Sequence, residues 1–267
     1  MRHLFHTKLL LVLSLLLPAL STQAADAPDI SGFWTVKFEQ TPSGTELFEK
    51  LPGDAIFIND AGGGELAEGD FGGIQLTESA LQEVSEYDFD YEFSMSYTCM
   101  PPSAVFYMQA PFPMEVDQGR DLIVFRMEYF DMVRVIYLDG RGHPGDDYPH
   151  SKNGHSIGHW EGDELVVDST HFVPSTFMNN GFNHSDDIHM VERFKMSKDG
   201  ETLWLTQVYE DPAVFAGKAL AIWPGAKSLE KIFIPMIAIQ ALADKRDKRQ
   251  EKSFAFKLTL QGEGEPM

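Results

Sequence analysis

The amino-acid sequence predicts a mainly β protein: an antiparallel barrel or sandwich with a few short helices. Three observations carry this expectation. Leu122, Val124 and Arg126 alternate with Ile123, Phe125 and Met127, and a period of two places successive side chains on opposite faces of a strand. Turn residues then punctuate the chain at Asp139-Gly140, Gly162-Asp163 and Lys198-Asp199-Gly200, each flanked by apolar runs, as in successive hairpins. Finally, no strand–helix alternation supports a parallel α/β sheet.

In chain order, residues 1–24 read as a secretion leader. Arg2 and Lys8 precede the leucine-rich run Leu9 to Leu17, and Thr22-Gln23-Ala24 suits cleavage. That run is too short to span a bilayer. The expectation is a periplasmic or secreted protein without membrane insertion, in which residues 25–267 form a single β-rich domain. Asp29-Ile30-Ser31-Gly32-Phe33-Trp34-Thr35-Val36 reads as the opening strand. Such openings are common in small-ligand barrels, so a lipocalin-like closure is expected. Short helices are expected over 43–51, 77–87 and 235–252. Ser43 with Glu46 suits a capping box, and Pro235 suits a first turn. Asn59 to Gly73 lacks the Lys-Ser/Thr ending of a phosphate loop and reads as surface. Phe89 to Pro113 mixes aromatics, methionine and proline and reads as irregular but packed.

Strand Leu122 to Met127 is apolar on both faces, which predicts cover on both sides. It returns through residues 128–131 into Met132 to Leu138. Asp139-Gly140 predicts a hairpin there. Further hairpins pair Ser156 to Trp160 with Leu165 to Thr170, and Ile188 to Phe194 with Thr202 to Glu210. Lys218 to Trp223 and Phe254 to Leu260 are further strands, and Asp211-Pro212 ends one.

A formal charge of −20 argues against nucleic acid and anionic membrane surfaces as partners. Cys99 is the one cysteine. It can form no internal disulfide and reads as a small buried apolar side chain.

The chemistry concentrates in histidine. Of nine histidines, His3 and His6 fall in the leader. The remainder, at 143, 150, 155, 159, 171, 184 and 189, lie in one stretch. Imidazole is suited to metal ligation and to proton transfer near neutral pH. Gly154-His155-Ser156-Ile157-Gly158 matches the G-x-S-x-G of a nucleophile elbow, but that motif needs a helix after it and a hairpin follows here. Ser156 is therefore not expected to be a nucleophile. Strand alternation places His189, Val191 and Arg193 on one face, opposite Met190, Glu192 and Phe194. It also aligns Ile157 with His159, and His171 with Ser169 and Val167. Histidines from adjacent strands could hold a divalent metal such as zinc or iron. Without metal, His184 or His189 could act as a base oriented by Asp186, Asp187 or Glu192. Phe172, Phe177, Phe182, Trp204, Tyr209 and Trp223 could line a pocket or simply fill the core. Glu192-Arg193 reads as a structural pair of charges.

The run Ile136-Tyr137-Leu138-Asp139-Gly140-Arg141, His143-Pro144, Trp160-Glu161-Gly162-Asp163-Glu164-Leu165-Val166-Val167-Asp168 and His184-Ser185-Asp186-x-x-His189-x-x-Glu192-Arg193-Phe194 resembles a large family of uncharacterised secreted bacterial proteins. The resemblance spans roughly residues 29–225 and implies a shared fold and a shared site, without lending an activity. Many relatives have arginine where His159 stands and a further histidine in place of Phe182. His143, His184 and His189 are thereby the better site candidates.

Three function classes follow. The preferred one is an exported enzyme acting on a small, apolar or aromatic molecule. His143, His184, His189 and Asp186 would carry acid/base chemistry, or the three histidines would hold a metal. The alternatives are a non-catalytic small-ligand-binding barrel and an envelope interaction protein with no pocket. The expectation is that His143, His184 and His189 line one pocket at a barrel mouth.

Overall fold

The computed structural model describes residues 27–36, 49–58, 65–87 and 100–228. The leader, residues 43–48 of the first expected helix, the helix over 235–252, the strand at 254–260 and Cys99 lie outside these. Residues 49–51 form a turn and a bend.

The protein is a mainly β barrel of mixed topology. Its strands are β1 (Gly32–Val36), β2 (Ile56–Phe57), β3 (Met114–Gln118), β4 (Leu122–Met127), β5 (Val133–Tyr137), β6 (His155–Glu161) and β7 (Glu164–Thr170). After them come β8 (Ser175–Thr176), β9 (Asn183–His184), β10 (His189–Met196), β11 (Thr202–Glu210) and β12 (Ala219–Ser228). Nine strands run β1-β3-β4-β5-β6-β7-β10-β11-β12, and β12 pairs with β1 to close the barrel. Closure removes free edges from the wall. β12 is ten residues long; its end serves β1, and its start takes β2 in parallel. β8 and β9 form a separate two-stranded ribbon.

Helix α1 (Glu78–Ser85) lies within the expected 77–87, and the Thr77 hydroxyl caps it by accepting from the Ala80 amide. A second helix, α2 (Ala104–Tyr107), is wholly buried inside the segment expected to be irregular. Among the described residues no helix is long and apolar enough to cross a membrane.

The expected hairpins β4–β5, β6–β7 and β10–β11 all form. Asp139-Gly140 does not make one. Gly140 bends the chain at φ +79°, but β5 and β6 pair in parallel, so the link between them is a crossover. Parallel neighbours need such a connection because the chain must return to its starting end. Gly154 brings the crossover back to the sheet. It has φ +63°, and a Cβ there would lie 2.5 Å from the Thr170 carbonyl, a place only glycine fits. The outer face of β4 is not covered as expected, since Leu122 is exposed and Val124 half-buried.

Inward side chains fill the barrel. Phe125 stacks on Phe194 at 5.1 Å, and Leu165, Val167, Met190 and Leu205 are fully buried around them. Phe172, Phe177, Phe182 and Tyr209 are fully buried too, and ring contacts among Phe177, Phe182 and Tyr209 join Phe215. They are core rather than pocket lining.

Within this apolar filling lies a buried ion pair. Arg134 on β5 is completely buried and forms a bidentate pair with Glu192 on β10. It also donates to Ser156 Oγ on β6 and Ser169 Oγ on β7, and Gln207 on β11 donates to Glu192. Ser156 is thus an interior strand residue. Glu192 and Arg193 do not pair with each other: Glu192 points inward, while Arg193 points outward to Glu161 and Glu164.

Removing one member of a buried pair strands the other charge, at about 3–5 kcal/mol. Arg134→Met should therefore lower unfolding stability by that order. Adding Glu192→Leu to it should recover much of the loss, as measured by urea denaturation of both variants.

Candidate active site

The crossover decides where the site lies. It carries His143, Tyr148 and His150 over the outer face of the wall. There β6 and β7 set His155 opposite Thr170 and Ile157 opposite Asp168, and β10 adds His189. Alternation explains why these point outward: Ser156 and Ser169 face the interior, so their neighbours face away. The site is on the outer wall, not at a barrel mouth.

Asp168 is its centre. A single carboxylate oxygen, Oδ1, lies 3.0 Å from Nε2 of His143 and 2.8 Å from Nε2 of His189. Both Nε2 atoms donate to it, since a carboxylate can only accept. On the far side of His143, Nδ1 lies 2.9 Å from Nδ1 of His155. Imidazole can be donor or acceptor at that nitrogen, so this bond can hold one proton in either direction. The Thr170 hydroxyl spans His143 Nδ1 at 3.1 Å and His171 Nδ1 at 2.8 Å. His171 leaves its strand face because its backbone turns to φ +60°, and its Nε2 donates to the Gly145 carbonyl. His150 stands 5.3 Å from His171, ring to ring, and bonds the Phe172 carbonyl. Tyr137 stacks on His155 at 5.5 Å, and Tyr148 meets it edge-on at 5.8 Å.

The environments drive proton affinities apart. The hydrogen bond to Asp168 raises the pKa of His189 above its ordinary value, against the opposing effect of burial. Burial lowers His155, helped by the neighbouring His143, His171 and Arg141. Burial alone would raise Asp168, but its bonds to His189 and His143 outweigh that and hold it low. The result is a row of groups, His155–His143–Asp168–His189, with a poor proton holder at one end and a good one at the other. Pairs of titratable groups separated in this way suit acid and base roles. Side-chain exposures of 21% for His143, 41% for Asp168 and 38% for His189 leave these three reachable from solvent, whereas His155 is buried beneath Tyr137 and Tyr148.

His184 is elsewhere. It is buried on β9, with Nδ1 2.7 Å from the Ser185 carbonyl and Nε2 2.6 Å from Ser103 Oγ. Nδ1 therefore carries the proton and donates to the carbonyl, while Nε2 accepts from the serine. Asp211 fixes this arrangement by accepting from both the amide and the hydroxyl of Ser185. Ser103 is fully buried, so the pair ties α2 to β9 rather than offering a nucleophile. Burial pushes the His184 pKa down to about 4. Asp186 is exposed and, among the described residues, bonds no imidazole. The expected trio is thus corrected: His143 and His189 meet on Asp168, whereas His184 and Asp186 do not join them. Nor do His143, His184 and His189 form a ligand set, and no group of three or more His, Cys, Asp or Glu among the described residues is placed to hold a metal. His159 instead bonds Glu161 at 3.2 Å, in an exposed charged strip.

Asp168 and Thr170 were missed as site residues. The available signal was a carboxylate ending the apolar run Leu165-Val166-Val167, on the strand paired with the histidine-rich β6. Fold and site together define a closed mixed β-barrel with a histidine–carboxylate row on its outer wall. The chain matches no protein-family model and no curated protein.

Asp168→Asn should lower the His189 pKa, because the bond that raises it loses its charge; imidazole NMR titration would read the shift. His184 gives a second expectation. Unfolded, it protonates near 6.5, and folded, near 4. Between these the unfolded chain binds a proton that the folded one does not. Stability should therefore fall as pH drops from 6.5 to 4, by about 3 kcal/mol from this group. Urea unfolding across that range should show a shallower pH slope for His184→Asn than for the parent.

Proposed function

We propose that the protein is an exported enzyme, periplasmic or secreted, that moves protons on a small apolar or aromatic molecule. The observation that carries this reading is the sharing of one Asp168 oxygen by His143 and His189, extended through His143 to His155. Asp168 orients both imidazoles. In the substrate-bound state, neutral His155 serves as proton acceptor and protonated His189 as donor, its Nε2 proton staying hydrogen-bonded to Asp168; His143 supports His155 across the Nδ1–Nδ1 contact, and exchange with solvent resets both ends. Tyr137 and Tyr148 supply aromatic surface beside His155, which favours an aromatic substrate. A carrier role would have to use a surface outside the barrel, because inward side chains occupy the described interior.

A panel of small aryl ketones with an exchangeable α C–H, followed by deuterium uptake from heavy water, tests the reading. Turnover by the parent should depend on pH with an acidic and a basic limb. His189→Asn should lower kcat by about 10²- to 10⁴-fold, the usual worth of a positioned acid or base, while the unfolding midpoint stays near that of the parent. Equal turnover by parent and variant would refute it. Export is checked separately by N-terminal sequencing of the protein recovered from the periplasm or medium, which should begin close after Ala24.

A further inference from the structure

A cleft of about 430 Å³ that shares no lining residue with the histidine row lies between α1, the β8–β9 ribbon and the segment that leads into α2. It lies in the usual size range for small-ligand sites. Its walls are largely apolar, from Met100, Pro101, Pro174 and Val214. One cation, Lys152, reaches into it. Lys152 belongs to the crossover and is held there by its carbonyl, which accepts from the Ala104 amide at 2.8 Å.

The polar groups of the cleft are incompletely used. Lys152 Nζ donates to Ser175 Oγ at 3.0 Å. Among the described residues it has no carboxylate partner, although the chain carries a net charge of −20. An ammonium has two further hydrogens to donate. Ser175 Oγ accepts from Lys152 and also from the Ser103 amide at 3.1 Å. Its own hydrogen therefore remains for an acceptor. Two donors, one of them cationic, thus stand side by side against an apolar wall. His184 adds a ring face only, since both its nitrogens are engaged. Glu83, the carboxylate on the lining, is exposed on α1 and accepts from Asn183 Nδ2 at 2.9 Å. Burial lowers the Lys152 pKa, the mark of a charge that has lost water without gaining a counter-ion.

We infer that this cleft binds a small monocarboxylate with an apolar body, its carboxylate bridging Lys152 Nζ and Ser175 Oγ and its body lying on Met100, Pro174 and Val214. The charge-assisted bond fixes the head, and burial of the body supplies the remaining affinity. The site is separate from the histidine row and does not depend on its chemistry.

Isothermal titration of the mature chain with 4-phenylbutyrate and with its neutral analogue 4-phenylbutanol tests the inference. The acid should bind with a stoichiometry of one and at least tenfold more tightly than the alcohol. Lys152→Met should weaken the acid tenfold or more and leave the alcohol unchanged, with a thermal midpoint no lower than that of the parent. Ser175→Ala should weaken the acid to a smaller degree. His189→Asn should bind the acid as the parent does, which separates this site from the proposed catalytic one. No binding of the acid at millimolar concentration, equal affinity for acid and alcohol, or undiminished binding by Lys152→Met would overturn the inference.

Discussion

A buried cation, Arg134, sets the terms for the inside of the barrel. Arg134 has lost all contact with water, and an unpaired charge in such surroundings would cost several kcal/mol. It is satisfied by Glu192, Ser156 and Ser169, with Gln207 on the far side of the carboxylate. These residues come from β5, β6, β7, β10 and β11, five consecutive positions in the wall. In a strand, a slip of one residue turns every side chain to the opposite face. Such a slip in any of these strands would bring an apolar or ill-placed group to Arg134 and send its partner into water. The polar belt therefore discriminates one register from its alternatives more sharply than the surrounding phenylalanines and leucines can.

That register also builds the outer surface. With Ser169 inside, Asp168 and Thr170 must lie outside; with Ser156 inside, His155 is turned to their side; with Glu192 inside, His189 follows. Strand pairing sets β7 beside β10 and beside β6, which brings His189 and His155 to the side of Asp168. His143 alone arrives on an irregular segment, and its position is held by Asp168, Thr170 and His155 together.

Much of the wall was legible in the chain. Period-two alternation and short turns located β4, β5, β6, β7, β10, β11 and β12, because those signals are local. The parallel β5–β6 pairing was not, since Asp139-Gly140 is as compatible with a bend that opens a crossover as with a hairpin. The short strands β2, β8 and β9 hold two residues each, too few for any periodicity to register. The site was legible in part for the same reason. Density of histidine marked the region, and alternation put His189 on the face opposite Glu192. Which histidines would meet depended on the crossover and on a left-handed turn at His171, and neither has a pattern along the sequence. The resemblance groups His184 with His189, yet Asp211, distant in sequence, holds the backbone that keeps it apart.

The parallel pairing of β5 and β6 divides the labour of the outer wall between two kinds of chain. Asp168, Thr170 and His189 belong to strands whose register the interior dictates. His143, Tyr148 and His150, together with Lys152 of the neighbouring cleft, ride on one exposed connection between Leu138 and Gly154. Loops tolerate exchange far better than the strands that anchor them. Variation confined to this one segment can therefore change the surface around Asp168 and the cleft beside Lys152 together, while the barrel beneath keeps its register.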